Sequence, residues 1–379
     1  MIFLFWLCFF LIIYVYLLYP LIIAILSLLL NRNIKKASIF PFVTIVTSAY
    51  NEEQHIKETI ENKLKLDYPK EKLEIIVVSD GSTDKTDEIV QQFEGSNVHL
   101  LRQEPRQGKT AALNMAIPKA NGEIIVFSDS NSIYSKNALK ELAANFADNS
   151  VGYVTGKMIY TNPDGSTIGN GCSAYMKYEN LLRKIETSIG SVVGVDGGID
   201  AIRKELFSPM RADQLPDFVL PLKIIEQGYR VVYDPSALLN EHALNKSADE
   251  YKMRVRVSLR ALNAIKDMKH LLNPAKYGLF AWQLFSHKVL RYSVFILLIA
   301  MYISNLMLIS KGSFYSAILI FQNMFYASAL AGFYLEKKEI NLKIFYIPFY
   351  FCLINLASAH AFWKLLNNER QVTWVPRRG

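Results

Sequence analysis

The chain has 379 residues, of which 51% are hydrophobic and 20% charged, with a formal net charge of +8. That length suits two or three structural units. The basic excess does not by itself call for nucleic acid, because basic residues also gather beside membrane spans on the cytoplasmic side. The three cysteines, Cys8, Cys172 and Cys352, have no spacing that fits a metal site or a disulfide framework.

Residues 1–30 carry no charged side chain. As a helix they exceed the roughly 30 Å of a bilayer's hydrocarbon core. They lack a basic start and a small-residue cleavage site, so they read as an anchor and not as a removed signal peptide. Arg32, Lys35 and Lys36 follow at once, which places the next part of the chain in the cytoplasm and Met1 outside. Residues 40–265 have an ordinary soluble composition and suffice for one α/β core. Residues 266–288 form an amphipathic approach to the bilayer. Residues 289–366 form three transmembrane helices, interrupted by "SKGS" and "EKKEINLK". Residues 367–379 are a basic tail, which three later crossings would leave on the outer face.

Within 40–265 the pattern alternates. "PFVTIVTSAYNEE" (41–53) predicts a buried strand over Val43–Thr47, a turn, and a helix from Glu52. "KLEIIVVSDGSTDKT" repeats it, with a helix from Asp84. "GEIIVFSDSNS" (122–132) gives a third strand ending in Asp129-Ser130-Asn131. Strands alternating with helices predict βαβ units and a largely parallel sheet. Ligands of such sheets bind beyond the carboxyl ends of the strands, where all three polar turns fall. Neither G-x-G-x-x-G nor a P-loop is present, which excludes the common dinucleotide and NTPase loops. "GVDGGIDAIRKELF" (194–207) reads as a glycine-rich loop running into a helix. Asp217 begins another helix that ends at Gly228, and a strand follows over Arg230–Tyr233. "YKMRVRVSLR" then brings Arg254, Arg256 and Arg260 close to the membrane. Few ionisable residues lie inside the spans, Arg291 and His360 among them, which argues against a transporter.

Taken in order, "AYNEE", "SDGSTD", "SDSN" and "GYRVVYDP" resemble the family 2 (GT-A) glycosyltransferases of the membrane-embedded type. These include chitin-oligosaccharide, hyaluronan, cellulose and poly-N-acetylglucosamine synthases. The resemblance covers about residues 40–265. It implies a Rossmann-like sheet domain of class α/β, joined to helical transmembrane segments. It also implies a UDP-sugar donor, a glycan or lipid-linked acceptor, a Mg²⁺ or Mn²⁺ ion, and no nucleic-acid partner. By the same resemblance Ala49, Tyr50 and Glu52 line the base and ribose, and Asp80 accepts a hydrogen bond from the uracil ring. Asp84 caps the helix after it. Lys109 meets the pyrophosphate. Asp129 and Asn131 hold the metal, with Asn131 standing where the family has Asp, as a neutral oxygen donor.

The implied catalytic base is Asp217, five residues before Leu222 as in the family motif, although Pro216 replaces the acid that normally precedes it. Asp213 is the fallback. The family's Gln-x-x-Arg-Trp is replaced by "MRVRVSLR", from which Arg256 is assigned to the diphosphate; the missing tryptophan bears on polymer synthesis. Asp196 and Asp200 are candidates for sugar hydroxyls, and His242 for the acceptor. The implied reaction is an inverting, metal-dependent sugar transfer at the cytoplasmic membrane face, in extracellular or cell-surface polysaccharide synthesis. The alternative is transfer of a single sugar to a polyprenyl phosphate.

Overall fold

The computed structural model describes residues 1–161, 167–242, 246–340 and 342–373. The chain divides into two compact units. One is built on a sheet and takes in Leu30–Ile159, Arg183–Glu241 and the stretch from Gln371. The other is helical and takes in Met1–Leu29, Tyr160–Leu182 and His242–Arg370.

The sheet has eight strands in the order β3-β2-β1-β4-β7-β6-β8-β5. They are β1 (Val43–Ala49), β2 (Leu73–Asp80), β3 (Val98–Gln103), β4 (Ile124–Asp129), β5 (Ile133–Tyr134), β6 (Val151–Thr161), β7 (Ile199–Arg203) and β8 (Arg230–His242). β1 pairs in parallel with β2 and β4, and β2 with β3. Every residue of β1 and β2 is buried, as expected where helices cover both faces of a parallel sheet. The helices Ile56–Leu64, Thr86–Gln91 and Lys109–Ala116 are the crossovers of this half. The first two start four and two residues later than the sequence suggested, at Ile56 and Thr86 in place of Glu52 and Asp84, because the turns before them are used up in side-chain contacts. The other half is antiparallel, with β7 between β4 and β6. Here the structure corrects the sequence reading of 194–207. Only the first residues are loop, and Ile199–Arg203 is a strand with Ile199, Ala201 and Ile202 buried.

Four helices are long and apolar enough to cross a membrane: Ile2–Leu30, Val294–Lys311, Ser313–Glu336 and Lys343–Leu366. In the helical unit, Phe5 and Cys8 pack on Met301 and Leu308. Glu179 is fully buried and is held by Arg291, by His287 Nε2 at 3.4 Å and by Lys288 Nζ at 3.9 Å. The Lys343–Leu366 helix lies beside Ser247–Asp267. Tyr350 Oη donates to Glu250 Oε1 at 2.8 Å and accepts from Arg254 Nη2 at 2.7 Å.

Candidate functional site

Parallel pairing sets Ser48 opposite Asp129 and Ala49 opposite Ser79. The three polar turns after β1, β2 and β4 therefore share one edge. The first two interlock. Asn51 adopts φ +52°, and its Oδ1 accepts from Thr83 N at 2.8 Å while its own N–H reaches Ser82 Oγ at 3.1 Å. Glu52 N donates to Thr86 Oγ1 at 2.9 Å, and Glu53 N to Asp84 Oδ2 at 3.1 Å. Asp84 Oδ1 accepts from Thr86 N at 3.0 Å. It thus holds the N–H of the first helical residue from one position outside the cap, which is Lys85 and not Asp84 as expected. Burial pushes the Glu52 carboxyl above its ordinary range, against the pull of Ser130.

Asp80 is completely buried at the end of β2. Its oxygens accept from Gln103 Nε2 at 2.5 Å, Gln107 N at 2.8 Å and Gly108 N at 2.9 Å, and Arg106 Nε lies 3.6 Å away. A carboxylate offers about four acceptor positions, so the 103–108 segment takes up nearly all of them. Asp80 folds that segment over the strand end. The Arg106 guanidinium in turn lies 3.4 Å from the centre of the Tyr50 ring, within cation–π range. Ala49 is buried in β1 and contributes shape alone.

The segment ends at Gly108, φ +91°, and delivers Lys109 to the start of a helix. Lys109 Nζ lies 2.8 Å from Asp129 Oδ1 and 3.5 Å from Asp217 Oδ1. Burial works against its charge, but Asp129 and Asp217 outweigh burial and hold its pKa above the ordinary lysine value. Asp217 sits in the first turn of the helix Pro216–Glu226. Its place depends on Gly197, φ +89°, where a Cβ would lie 2.7 Å from Asp217 Oδ2. Asn131 is partly exposed in the turn after β4. Lys109, Asp129 and Asp217, separated widely in sequence, thus meet at one point.

The other expected residues divide. Asp196 is not free for a sugar: it is buried in an ion pair with Arg183, Nη1 to Oδ1 2.5 Å, and accepts from Met158 N at 3.1 Å. Asp213 is paired with Arg211 Nε at 3.1 Å. Asp200 is buried on β7, and no hydrogen bond of good geometry reaches either of its oxygens. Burial, then the Asp217 charge, raises its pKa to about 7, while Thr155 and Tyr153 pull it down. Arg254 is committed to Glu250 and Tyr350. Arg256 is partly buried on the Ser247–Asp267 helix of the helical unit. The His242 side chain and residues 374–379, with Arg377 and Arg378, lie outside the described residues.

Residues 44–208 match the Glycosyl transferase family 2 model. That segment, under half of the chain, is similar to family 2 glycosyltransferases. The chain is 31% identical over 149 residues to Glycosyltransferase AglE of Haloferax volcanii, covering 39% of this chain and 48% of that protein. It is 29% identical over 203 residues to the poly-beta-1,6-N-acetyl-D-glucosamine synthase of Staphylococcus aureus, covering 52% and 48%. The chain spans about half the length of the curated relatives it matches. The mannosyltransferase PcManGT from Pyrobaculum calidifontis, solved with GDP-Man and Mn²⁺, superposes with a TM-score of 0.73 at 22% identity, covering 97% of this chain and 99% of that one. That likeness establishes a shared GT-A fold. The matched segment holds Asp80, Lys109, Asp129 and Asp200; Asp217 lies just beyond it.

Reading the sequence missed Gln103, Arg106 and the Gln107–Gly108 amides as partners of Asp80. The signal available was the polar "RQEPRQGK" that starts in the last two residues of β3, too irregular to be assigned a partner without the fold.

Proposed function

We propose that the chain transfers a sugar from a UDP-sugar to a glycan acceptor, with inversion, at the cytoplasmic face of a membrane. The observation that carries this reading is the Lys109 ammonium held between the Asp129 and Asp217 carboxylates. Asp217 takes the proton of the acceptor hydroxyl as that oxygen attacks the anomeric carbon. The new C–O bond forms opposite the breaking bond to the diphosphate, which leaves with the electron pair. Lys109 supplies positive charge at the departing phosphates. Tyr50, Arg106 and the 103–108 segment that Asp80 holds border the base.

A divalent ion fits this edge. Asp129 offers one charged oxygen and Asn131 one neutral oxygen, which suits Mg²⁺ or Mn²⁺ ions that keep their other positions for water and phosphate. Among the described residues no group of three or more His, Cys, Asp or Glu forms a closed cage. When bound there, the ion would neutralise charge on the leaving diphosphate.

The four apolar helices support a multi-pass membrane protein. We place the C-terminal stretch on the side of the sheet unit, where the sequence expectation put it on the outer face. A Cβ at Gly108 would meet the Val372 carbonyl oxygen at 2.8 Å, so residues on both sides of the apolar helices, 30–159 and 371–373, belong to the sheet unit. On this reading the chain between them crosses an even number of times. Lys343–Leu366, packed along Ser247–Asp267 through Tyr350, is the helix we place in the interface. In a background lacking Cys8, Cys172 and Cys352, a Thr373→Cys probe is expected to resist a membrane-impermeant reagent until cells are lysed. Labelling in intact cells would restore three later crossings.

A second reading, transfer of one sugar to a lipid phosphate, is favoured by a single feature. The helical unit has an open apolar groove of about 800 Å³ lined by side chains including Phe295, Tyr302, Phe333 and Leu353, a fit for a lipid chain. One assay decides. Purified protein in detergent is given UDP- and GDP-sugars with membrane lipid. A long polymer supports the first reading, a lipid-extractable monosaccharide the second, and no transfer from any donor rejects both.

A further inference from the structure

The turn that carries Asp129 and Asn131 is gripped from behind by one face of the Ile56–Leu64 helix. Thr59, Asn62 and Lys63 stand at i, i+3 and i+4, so they share that face. Thr59 Oγ1 donates to Ser130 O at 2.6 Å, and Lys63 Nζ donates to Ser132 O at 2.6 Å. Asn62 Nδ2 donates to Tyr134 O at 3.0 Å, and its Oδ1 accepts from Tyr134 N at 2.9 Å. Tyr134 Oη then donates toward Phe127 O at 2.7 Å and Gly198 O at 3.0 Å. Every second carbonyl from 130 to 134 is therefore held.

Lys63 is the unusual member. Its side chain is 1% exposed, and among the described residues its ammonium contacts no carboxylate. Besides Ser132 O it meets Asn62 Oδ1 at 3.1 Å and lies 3.5 Å from the centre of the Tyr134 ring. Burial holds its pKa well below the ordinary lysine value, and Asp129 works in the opposite direction. A buried ammonium without a paired carboxylate is unfavourable for folding. A leucine or methionine would fill the same space at lower cost.

We propose that Lys63 is a positioning residue for the donor site: with Thr59 and Asn62 it fixes the backbone of the 130–134 turn so that Asp129 and Asn131 present their oxygens in one arrangement. The inference rests on the reading of Asp129 and Asn131 as the metal and diphosphate edge. It assigns Lys63 no contact with substrate. Outer partners that orient metal-holding groups are worth about 10–100-fold in metal affinity.

Function and stability should then move in opposite directions on substitution. In the full-length protein in detergent, Mn²⁺ binding in the presence of UDP is titrated by electron paramagnetic resonance, alongside the thermal midpoint. Lys63→Met is expected to weaken Mn²⁺–UDP binding by about 10-fold while the midpoint stays level or rises. Thr59→Val, which removes only the hydroxyl under Ser130, should weaken binding less, and it keeps the test open if Lys63→Met does not fold. Asp129→Ala is the control. If Asp129→Ala abolishes binding while Lys63→Met and Thr59→Val leave it within about twofold of the native protein, the positioning role is overturned. If Asp129→Ala changes nothing, the donor-site reading falls and this proposal falls with it.

Discussion

The two halves of the sheet treat their carboxylates differently. In the parallel half, Asp80 and Asp84 end on backbone N–H groups from neighbouring turns, and Glu74, buried in β2, accepts from Thr44 Oγ1 at 2.5 Å and Asn121 N at 2.9 Å. Each is a fastener. In the antiparallel half, Asp196 is spent on Arg183, but Asp200 is buried with no hydrogen bond of good geometry, and Asp217 stands at the edge beside Lys109. The parallel half builds the shape of a nucleotide site. The antiparallel half supplies the groups whose proton affinity is left to be set by one another. Chemistry that moves a proton belongs in the second environment, since a carboxylate already holding several N–H donors is a poor base.

The largest expected effect tests that division directly. Asp217→Asn should lower the transfer rate by about 10²–10⁴-fold, the usual contribution of a general base, and leave UDP binding nearly unchanged. Most of the activity surviving would move the role elsewhere, to Asp213 first. The next effect lies on the border between the halves. Asp129→Ala should remove the Mn²⁺-dependent part of UDP affinity and slow turnover, while Asn131→Asp should bind the ion at least as tightly. Calorimetry of UDP with Mn²⁺ and with EDTA measures it, and equal affinity in both would reject a metal at this edge.

On the parallel side a smaller and different loss is expected. Asp80→Asn keeps the size but puts an amide N–H₂ where N–H donors converge. Leaving buried donors without an acceptor costs about 1–3 kcal/mol. Thermal stability should fall and the donor KM should rise together as the 103–108 segment loosens. A variant with native stability and a raised KM would show that Asp80 contacts the base, as the family resemblance implies, and does more than fasten the loop.

How much of this was legible in the sequence follows the same line. β1, β2 and β4 could be read because each is a short apolar run closed by a polar turn, and the position of Asp80 and Asp129 at strand ends follows from that. The interlocking of "YNEE" with "DGSTD" was not legible, since side chains of one turn meet backbone of another about thirty residues away. β7 was misread for a physical reason: Gly197 and Gly198 suggested a loop, and only the sheet shows that Gly197 is small in order to admit Asp217. Nothing in the sequence around Lys63 sets it apart from a solvated helix lysine. Its burial depends on Ser132 and on Tyr134 of β5, far along the chain. Asp217 was found by motif spacing alone, and its meeting with Lys109 was visible only in the fold.

The smallest effect concerns Asp200, and its sign is fixed by linkage. Asp200 in the folded protein has a pKa raised to about 7 from an ordinary 3.8, by burial first and by Asp217 second. Between those values the folded chain holds a proton that the unfolded chain has released. Stability from this group is therefore fully present below the ordinary value and is lost as pH rises through the folded one. Asp200→Asn cannot release that proton, so the variant should gain on the native protein between pH 5 and pH 8, on the order of 1–2 kcal/mol once relaxation discounts the full shift. The groups around Asp200 sharpen the second readout. Lys109 from its helix, Tyr153 and Thr155 from β6, Tyr134 from β5 and Asp196 from the loop all stay in place in the variant. What disappears above neutral pH is one negative charge near Asp217. Asp217 should then hold its proton less firmly, and the acidic limb of the kcat/KM profile should move to lower pH. Thermal midpoints at the two pH values and a pH–rate profile measure both. Parallel stability curves with an unmoved acidic limb would mean that Asp200 is silent, and that the proton affinity of Asp217 is set by Lys109 alone.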